Sequence, residues 1–317
     1  MVNTKKTFLV TGGAGFIGSH LVDRLLKLGH HVICMDNEFR GTFRNLNKRK
    51  NLIIKKGDVR NYSEWPEPSG KIHGVFHLAA INGTKNFYEI PEQVLEVNVK
   101  GTMNAVNYVK KHKIKQLVFA SSSETYGIPK AFPTPESEIL KVPDLDNPRW
   151  SYGASKIIGE VYCVNYAKKF GFKCSIIRYN NVYGPRDEIG HVIPDLIKKI
   201  LHNQKMIVEG TGEETRSFCF IDDAIDATLL IMNKQKNNFE IFNVGIDKET
   251  RIKTLIKLLG RVSKIELTPK FKLKKNPGTK RRKPNISKLK KMKFEPKVDL
   301  EEGLKITYDW YEEQNKK

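Results

Sequence analysis

TGGAGFIGSHLVDRLLKLG, Thr11 to Gly29, decides the fold. Phe8 to Val10 precede it as a short apolar strand. Gly12, Gly15 and Gly18 then have the spacing of a strand-to-helix turn: backbone without Cβ lets a pyrophosphate approach, and the helix N-terminus offers free N–H groups and a positive dipole. The spacing predicts a helix that turns Ile17, Leu21, Leu25, Leu26 and Leu28 toward a sheet and ends at Gly29. A second strand, HHVICMDN from His30 to Asn37, stops its apolar run at Asp36. A carboxylate about twenty residues past the glycines accepts hydrogen bonds from an adenosine ribose and repels a 2′-phosphate, so NAD is favoured over NADP. Arg40 pulls weakly the other way. A glycine triplet alone arises by chance; strand, glycines, helix, strand and acid in that order form a far more specific signal.

Outward from this unit the alternation continues. Leu52 to Ile54, Gly74 to Leu78 and Gln116 to Ala120 read as buried strands, with small or polar residues after each at the carboxyl end, where open parallel sheets bind ligands. Pro91 to Lys111 is a long helical pattern containing Asn98. Cys174 to Arg178 and Phe242 to Val244 are further strands, Val192 to Gln204, Ile252 onward and Leu300 to Glu313 helices, and Arg216 to Met232 a short extended piece running into a helix capped near Asp222. The fold class is α/β, a doubly wound parallel Rossmann sheet with a smaller C-terminal lobe. Residues 1–183 are expected to form the dinucleotide-binding domain, with returning segments near 216–245, and 184–317 mainly the second lobe.

The chain of 317 residues is 39% hydrophobic, enough to bury a sizeable core. No apolar run approaches a membrane span and the N-terminus has no signal-peptide layout, so a cytoplasmic protein without membrane contact is expected. Cys34, Cys163, Cys174 and Cys219 stand singly in apolar contexts, without metal-ligand spacing, and read as core; no metal is expected. The net charge of +21 would suit a polyanion. Much of it, however, is lysine spread along helix faces such as Lys110, Lys111 and Lys113, and the dense stretch Lys270 to Lys293 lacks interleaved aromatics beyond Phe271.

The chemistry turns on RWSYGASKIIGE, Arg149 to Glu160, where Tyr152 stands four residues ahead of Lys156. On a helix such a pair shares one face, about 5 to 6 Å apart. A phenol is a poor base at neutral pH, and a neighbouring cation favours phenolate, so Lys156 is expected to lower the pKa of Tyr152. The spacing alone equally describes two surface residues.

Taken together, TGGAGFIGSHL, DN at 36 and 37, GDV at 57–59, HLAA at 77–80, SSSETYG at 121–127, SYGASK at 151–156, NVYGPR at 181–186 and RSF at 216–218 resemble the extended short-chain dehydrogenase/reductases, in their NAD-dependent nucleotide-sugar epimerase/dehydratase branch. The resemblance spans nearly the whole chain. It implies that Gly12, Gly15, Phe16, Ile17 and Gly18 cradle the NAD pyrophosphate, that Asp36 and Asn37 meet the adenosine ribose and that Asp58 and Val59 meet the adenine. Leu78, Ala79, Ala80, Asn98, Tyr179 and Val182 would line the cofactor. Ser122 falls at the catalytic Ser or Thr, Tyr152 at the base, and Lys156 at the lysine that holds the nicotinamide ribose. Ser123, Asn181, Arg216 and Arg282 would contact a nucleotide-diphosphate sugar, for which guanidinium forks are suited. The second lobe would bind that substrate, and family members often dimerise through two helices, one of them the Tyr/Lys helix.

The branch is less legible. A hexose 4-epimerase needs the Ser and the Tyr but no further acid, and a UDP-hexose 4-epimerase is the first expectation on abundance. Ser123 and Glu124 replace the Asp-Glu pair of common dTDP-glucose 4,6-dehydratases but resemble the Ser-Glu arrangement of GDP-mannose dehydratases, so a nucleotide-sugar 4,6-dehydratase stays an alternative, with Glu124 an additional catalytic candidate or a structural acid. UDP-glucuronate decarboxylases also carry Ser-Glu there and an arginine matching Arg282, and a C4 dehydrogenase fits as well. An RNA-binding protein on the same scaffold is the alternative from another class, and the intact Ser122, Tyr152 and Lys156 set argues against it.

Overall fold

The structure, a computed structural model, describes residues 5–187, 190–273 and 279–316. By internal contacts the chain divides into two units, Met1–Gly127 with Leu140–Arg178 and Thr228–Phe242, and Ile128–Ile139 with Tyr179–Ala227 and Asn243–Lys317. Residues 128–139, expected in the first domain, thus group with the second unit.

In the first unit the apolar runs form β1 (Thr7–Thr11), β2 (His31–Asp36), β3 (Leu52–Lys56), β4 (Gly74–His77), β5 (Gln116–Ser122) and β6 (Lys173–Tyr179). With Phe239–Val244 they make a seven-stranded sheet in the order Phe239–Val244, β6, β5, β4, β1, β2, β3. β3, β2, β1, β4 and β5 pair in parallel. This is the doubly wound α/β fold. Strand order reverses at β1, which has β2 on one side and β4 on the other, and open sheets take ligands at the carboxyl ends beside such a switch point.

The helices of this unit are α1 (Phe16–Lys27), α2 (Thr84–Glu89), α3 (Pro91–Lys111) and α4 (Ser151–Phe170). α1 buries Leu21, Val22, Leu25 and Leu26. Leu28, expected to face the sheet, is 45% exposed, because it forms the C-cap where the helix turn is already lost. β3 also departs from expectation: Ile53 and Ile54 are 57% and 39% exposed. It is an edge strand, paired on one side only. The interior strands carry the core, with Leu9, Val75, Phe119 and Ile176 fully buried, and all four cysteines are buried free thiols.

The second unit contains α5 (Val192–Leu201), the start of α6 (Ile221–Lys234), α7 (Ile252–Ser263), α8 (Ser287–Lys291) and α9 (Leu300–Asn315). α9 packs on α5 and α7, and Asp299 caps it by accepting from the Glu302 amide at 2.9 Å. Thr215–Arg216 lies between Thr250–Arg251 and Arg281–Arg282 in a three-stranded sheet. Within the basic stretch, residues 274–278 lie outside the described residues. Of the described ones, Arg281 grips Glu249 with two hydrogen bonds of 2.8 and 2.7 Å, and Lys290 meets Asp247 at 2.7 Å, so part of the charge is paired. Among the described residues no helix is long and apolar enough to cross a membrane.

Candidate active site

The turn after β1 is built for close approach. Gly12 has φ +70°, and a Cβ there would stand 2.6 Å from the Ala79 amide nitrogen, on the segment that follows β4. A Cβ on Gly18 would reach within 2.0 Å of the Gly12 carbonyl oxygen, so both positions require glycine. Gly15 is the N-cap of α1 and supplies no side-chain cap, which leaves first-turn N–H groups to a ligand. Asp36 ends β2 and turns back on this loop, one oxygen accepting from the Ala14 amide at 3.0 Å and the other from the Glu38 amide at 2.8 Å. Burial pushes its pKa up, and those amides oppose the rise. The glycine cradle, the open helix terminus and the acid together fit a dinucleotide. Asn37 donates to Asp58 at 3.4 Å, and Asp58 is held by the Arg60 guanidinium. The Val59 side chain is in the core, where a Cβ on Gly101 would strike it at 2.7 Å.

Asn98, expected at the cofactor, is 1% exposed and spends its amide inside the protein. Its oxygen accepts from the Ile81 amide at 2.8 Å, and its nitrogen donates to the Ile81 carbonyl at 3.2 Å and to Ser155 Oγ at 3.0 Å. Ser155 in turn donates to the Tyr152 carbonyl at 2.7 Å. Asn98 therefore braces the chain after β4 against the first turn of α4.

Ser122 ends β5, and its hydroxyl accepts from the Glu124 amide at 3.2 Å. Asn147 caps a short 3-10 turn, Pro148–Trp150, that leads into α4. α4 begins so close to Glu124 that a Cβ on Gly153 would sit 2.8 Å from the Glu124 carbonyl oxygen. Tyr152 and Lys156 lie one turn apart, 6% and 2% exposed. Phe87 of α2 stacks on the phenol ring, with centroids 5.3 Å apart and planes at 19°.

Here the electrostatics correct the sequence reading. Burial pushes the Tyr152 phenol up to about 12; Arg40 and a hydrogen bond with Ser122 pull it down, and Glu124 raises it. The Lys156 ammonium donates to the Ala120 carbonyl at 2.8 Å, 5.7 Å from the centre of the phenol ring, and burial lowers its own pKa to about 8. The phenol is thus raised rather than lowered, because desolvation, invisible in a sequence, outweighs the opposing Arg40 charge. Two further groups also escaped the sequence reading: Arg149, whose Nη2 lies 3.6 Å from Glu124 Oε1, and the buried pair Glu160 and Arg178. The only signal for Arg149 was its place in the turn before the Tyr/Lys helix.

The remaining candidates belong to the second unit. Asn181 has φ +39°, and its carbonyl accepts from the Cys219 amide at 3.1 Å. Tyr179 and Val182 are each 8% exposed. Arg216 and Arg282 are register partners on adjacent strands. Arg216 donates to the carbonyls of Thr279 and Lys280 at 2.8 and 3.2 Å, and Arg282 to Thr279 Oγ1 at 3.4 Å.

A sheet with a glycine cradle at its switch point, and a Ser, Tyr and Lys set at the end of β5 and on α4, defines the short-chain dehydrogenase class of site. The model of the NAD-dependent epimerase/dehydratase family matches residues 8–245, and the chain belongs to that family. It is thus an NAD-dependent enzyme of the group that acts on nucleotide sugars by epimerisation, dehydration or decarboxylation. It is 37% identical to a UDP-N-acetyl-alpha-D-glucosaminuronate decarboxylase of Bacillus cytotoxicus over 98% of both chains. Among solved structures it resembles UDP-glucose 4-epimerase of Thermotoga maritima with UDP-glucose, at TM-score 0.88 and 31% identity, covering 98% of this chain and 99% of that one. It also resembles UDP-glucuronic acid 4-epimerase of Bacillus cereus, in complex with UDP-glucuronic acid and NAD, at TM-score 0.86 and 30% identity, covering 97% and 99%.

Proposed function

We propose that this enzyme decarboxylates a UDP-hexuronate through oxidation at C4. The observation that carries the reading is Glu124, an acid within charge range of Tyr152, next to Ser122 and ion-paired to Arg149. Epimerisation at C4 needs no such acid, and likeness to the Bacillus cytotoxicus decarboxylase supports the same choice. The first expectation, a UDP-hexose 4-epimerase, becomes the second reading, favoured by the likeness to the Thermotoga enzyme.

In this reading the first unit would hold NAD: Gly12, Gly15, Gly18 and the α1 amides would take the pyrophosphate, Asp36 the adenosine ribose and Lys156 the nicotinamide ribose. The second unit holds the nucleotide sugar through Asn181, Arg216 and Arg282. Ser122 hydrogen-bonds the sugar O4, and Tyr152, as phenolate, takes its proton. NAD held there would supply a reversible hydride acceptor for C4. The C4 ketone stands β to the C6 carboxylate. The C5–C6 bond therefore breaks with its electron pair drawn onto O4, carbon dioxide leaves, and a water molecule polarised by the Glu124 carboxylate gives C5 a proton as the C4 ketone re-forms, its hydroxide passing to solvent. Tyr152 finally returns its proton to O4, and no net oxidation remains.

The test is to give NAD-loaded protein UDP-glucuronate, its N-acetyl analogue and UDP-glucose, and to follow carbon dioxide and C4 stereochemistry by NMR. Carbon dioxide release is expected, lowered on the order of 10²-fold by Glu124→Gln, as befits loss of a positioned carboxylate that steers proton transfer. An unchanged mass with inverted C4 would instead establish the epimerase.

We also propose a homodimer. α3 and α4 pack together, yet Leu95 on α3 and Ile158 and Val161 on α4 remain 38%, 41% and 55% exposed. Apolar side chains left exposed on a helix pair suit a partner of the same kind. Sedimentation is expected to give twice the chain mass of 36.4 kDa, and Val161→Glu the single mass. A wild type that sediments as a monomer would refute the dimer.

A further inference from the structure

Arg149 has a feature that C4 oxidation leaves unexplained. Nε and Nη2 form the side-on edge of a guanidinium, two parallel donors matched to a carboxylate. In Arg178 that edge is saturated: Nε and Nη2 donate to Glu160 at 2.9 and 2.6 Å. In Arg149 the Nη2 atom stands 3.6 Å from Glu124 Oε1, too far for a hydrogen bond, and the buried Nε has no hydrogen-bond partner among the described residues. The Arg149 and Glu124 side chains are only 11% and 16% exposed, so solvent screens the pair weakly. The guanidinium rests over the Trp150 ring at 5.4 Å, and Asn147 accepts from the Arg149 amide at 3.1 Å, which fixes the turn that presents it.

We infer that Arg149 is a positioning residue whose charge lets the site accept a second carboxylate, that of a hexuronate, beside Glu124. The inference rests on the decarboxylase reading. Two carboxylates brought together out of water repel, and one of them gives up its charge or leaves unless a cation offsets them. Arg149 supplies that cation on the protein side. A neutral hexose carries no second charge, so it gains nothing from the offset. Arg149 thus acts through Glu124 on substrate choice rather than on the reacting atoms.

Affinity in the NAD-loaded Tyr152→Phe protein, where turnover is blocked, is measured by calorimetry for UDP-glucuronate, UDP-glucose and UDP. Adding Arg149→Met is expected to weaken UDP-glucuronate about 100-fold relative to UDP-glucose, the scale on which a buried charge partner is missed. Arg149→Lys should recover part of the loss. Adding Glu124→Gln to Arg149→Met should restore UDP-glucuronate to within about 10-fold, because removing the acid removes the repulsion. Binding of UDP reports an intact fold; if Arg149→Met loses it, the Lys variant with and without Glu124→Gln carries the same comparison. A glucuronate-to-glucose ratio that Arg149→Met leaves alone, or that Glu124→Gln fails to restore, overturns the inference. Absence of carbon dioxide release by the wild type, with the binding ratios as expected, overturns only the decarboxylase reading.

Discussion

Tyr152→Phe lowers the rate of C4 oxidation by about 10³-fold or more, within the range for removing a positioned acid–base group, while NAD still binds. The substitution deletes one oxygen from a ring that Phe87 stacks on at 5.3 Å, so the packing around it survives. Ser122 loses a hydrogen-bond partner, worth about 1 kcal/mol, too little to unfold the chain. The measurement is single-turnover growth of reduced-cofactor absorbance with substrate in excess. A rate near wild type would remove Tyr152 from the chemistry. The same variant isolates the phenol spectroscopically. With its proton held up to about 12 by burial, the phenol of the cofactor-free protein is neutral at pH 7 to 9. A wild-type minus Tyr152→Phe ultraviolet titration should show ionisation moving to lower pH when oxidised NAD, with its cationic nicotinamide, is added. No movement would mean that the phenolate has another origin.

The sheet was readable because its strands are short apolar runs between turn residues, and because α1 keeps Leu21, Val22, Leu25 and Leu26 on one stripe. Where the reading failed, the cause is tertiary. Ile53 and Ile54 look like core residues, yet they reach solvent because β3 lies at the edge of the sheet. At the site, residues in short motifs were named directly, since Gly12, Gly18, Ser122 and Tyr152 stand at fixed offsets from recognisable strands and helices. Groups defined by partners far along the chain were not. Asn98 is expected at the cofactor, and the partners of its side-chain amide, Ile81 and Ser155, the latter 57 residues away, could not be read from its motif. Lys156 beside Tyr152 predicts a lowered phenol, and burial, which no motif reveals, raises it instead.

Arg178→Met costs about 3 to 5 kcal/mol of stability, the usual penalty for removing one partner of a buried ion pair. Arg178 on β6 is 2% exposed and Glu160 on α4 is 3% exposed. Besides its two bonds to Glu160, the guanidinium donates to the Tyr126 hydroxyl at 3.0 Å, and Ser121 Oγ donates to Glu160 at 2.5 Å. Methionine fills much of the volume but leaves a carboxylate in the interior with the Ser121 hydroxyl alone of these partners, so charge rather than a cavity dominates the loss. Glu160→Gln added to Arg178→Met should regain a large part of it, since neither ion is then buried; two independent sites would instead add their costs. The pair also carries function. Glu160 is one helical turn beyond Lys156, Ser121 is next to Ser122, and Tyr126 closes the same turn as Glu124. Loosening it shifts the strand end and the helix that together align the hydroxyl, the phenol and the ammonium, and a displacement of about 1 Å costs on the order of 10²-fold in rate. Urea midpoints and turnover should therefore fall together in Arg178→Met and recover together in the double variant. A single variant that loses less than about 1 kcal/mol would mean that water reaches Glu160 and that the network does not hold the site.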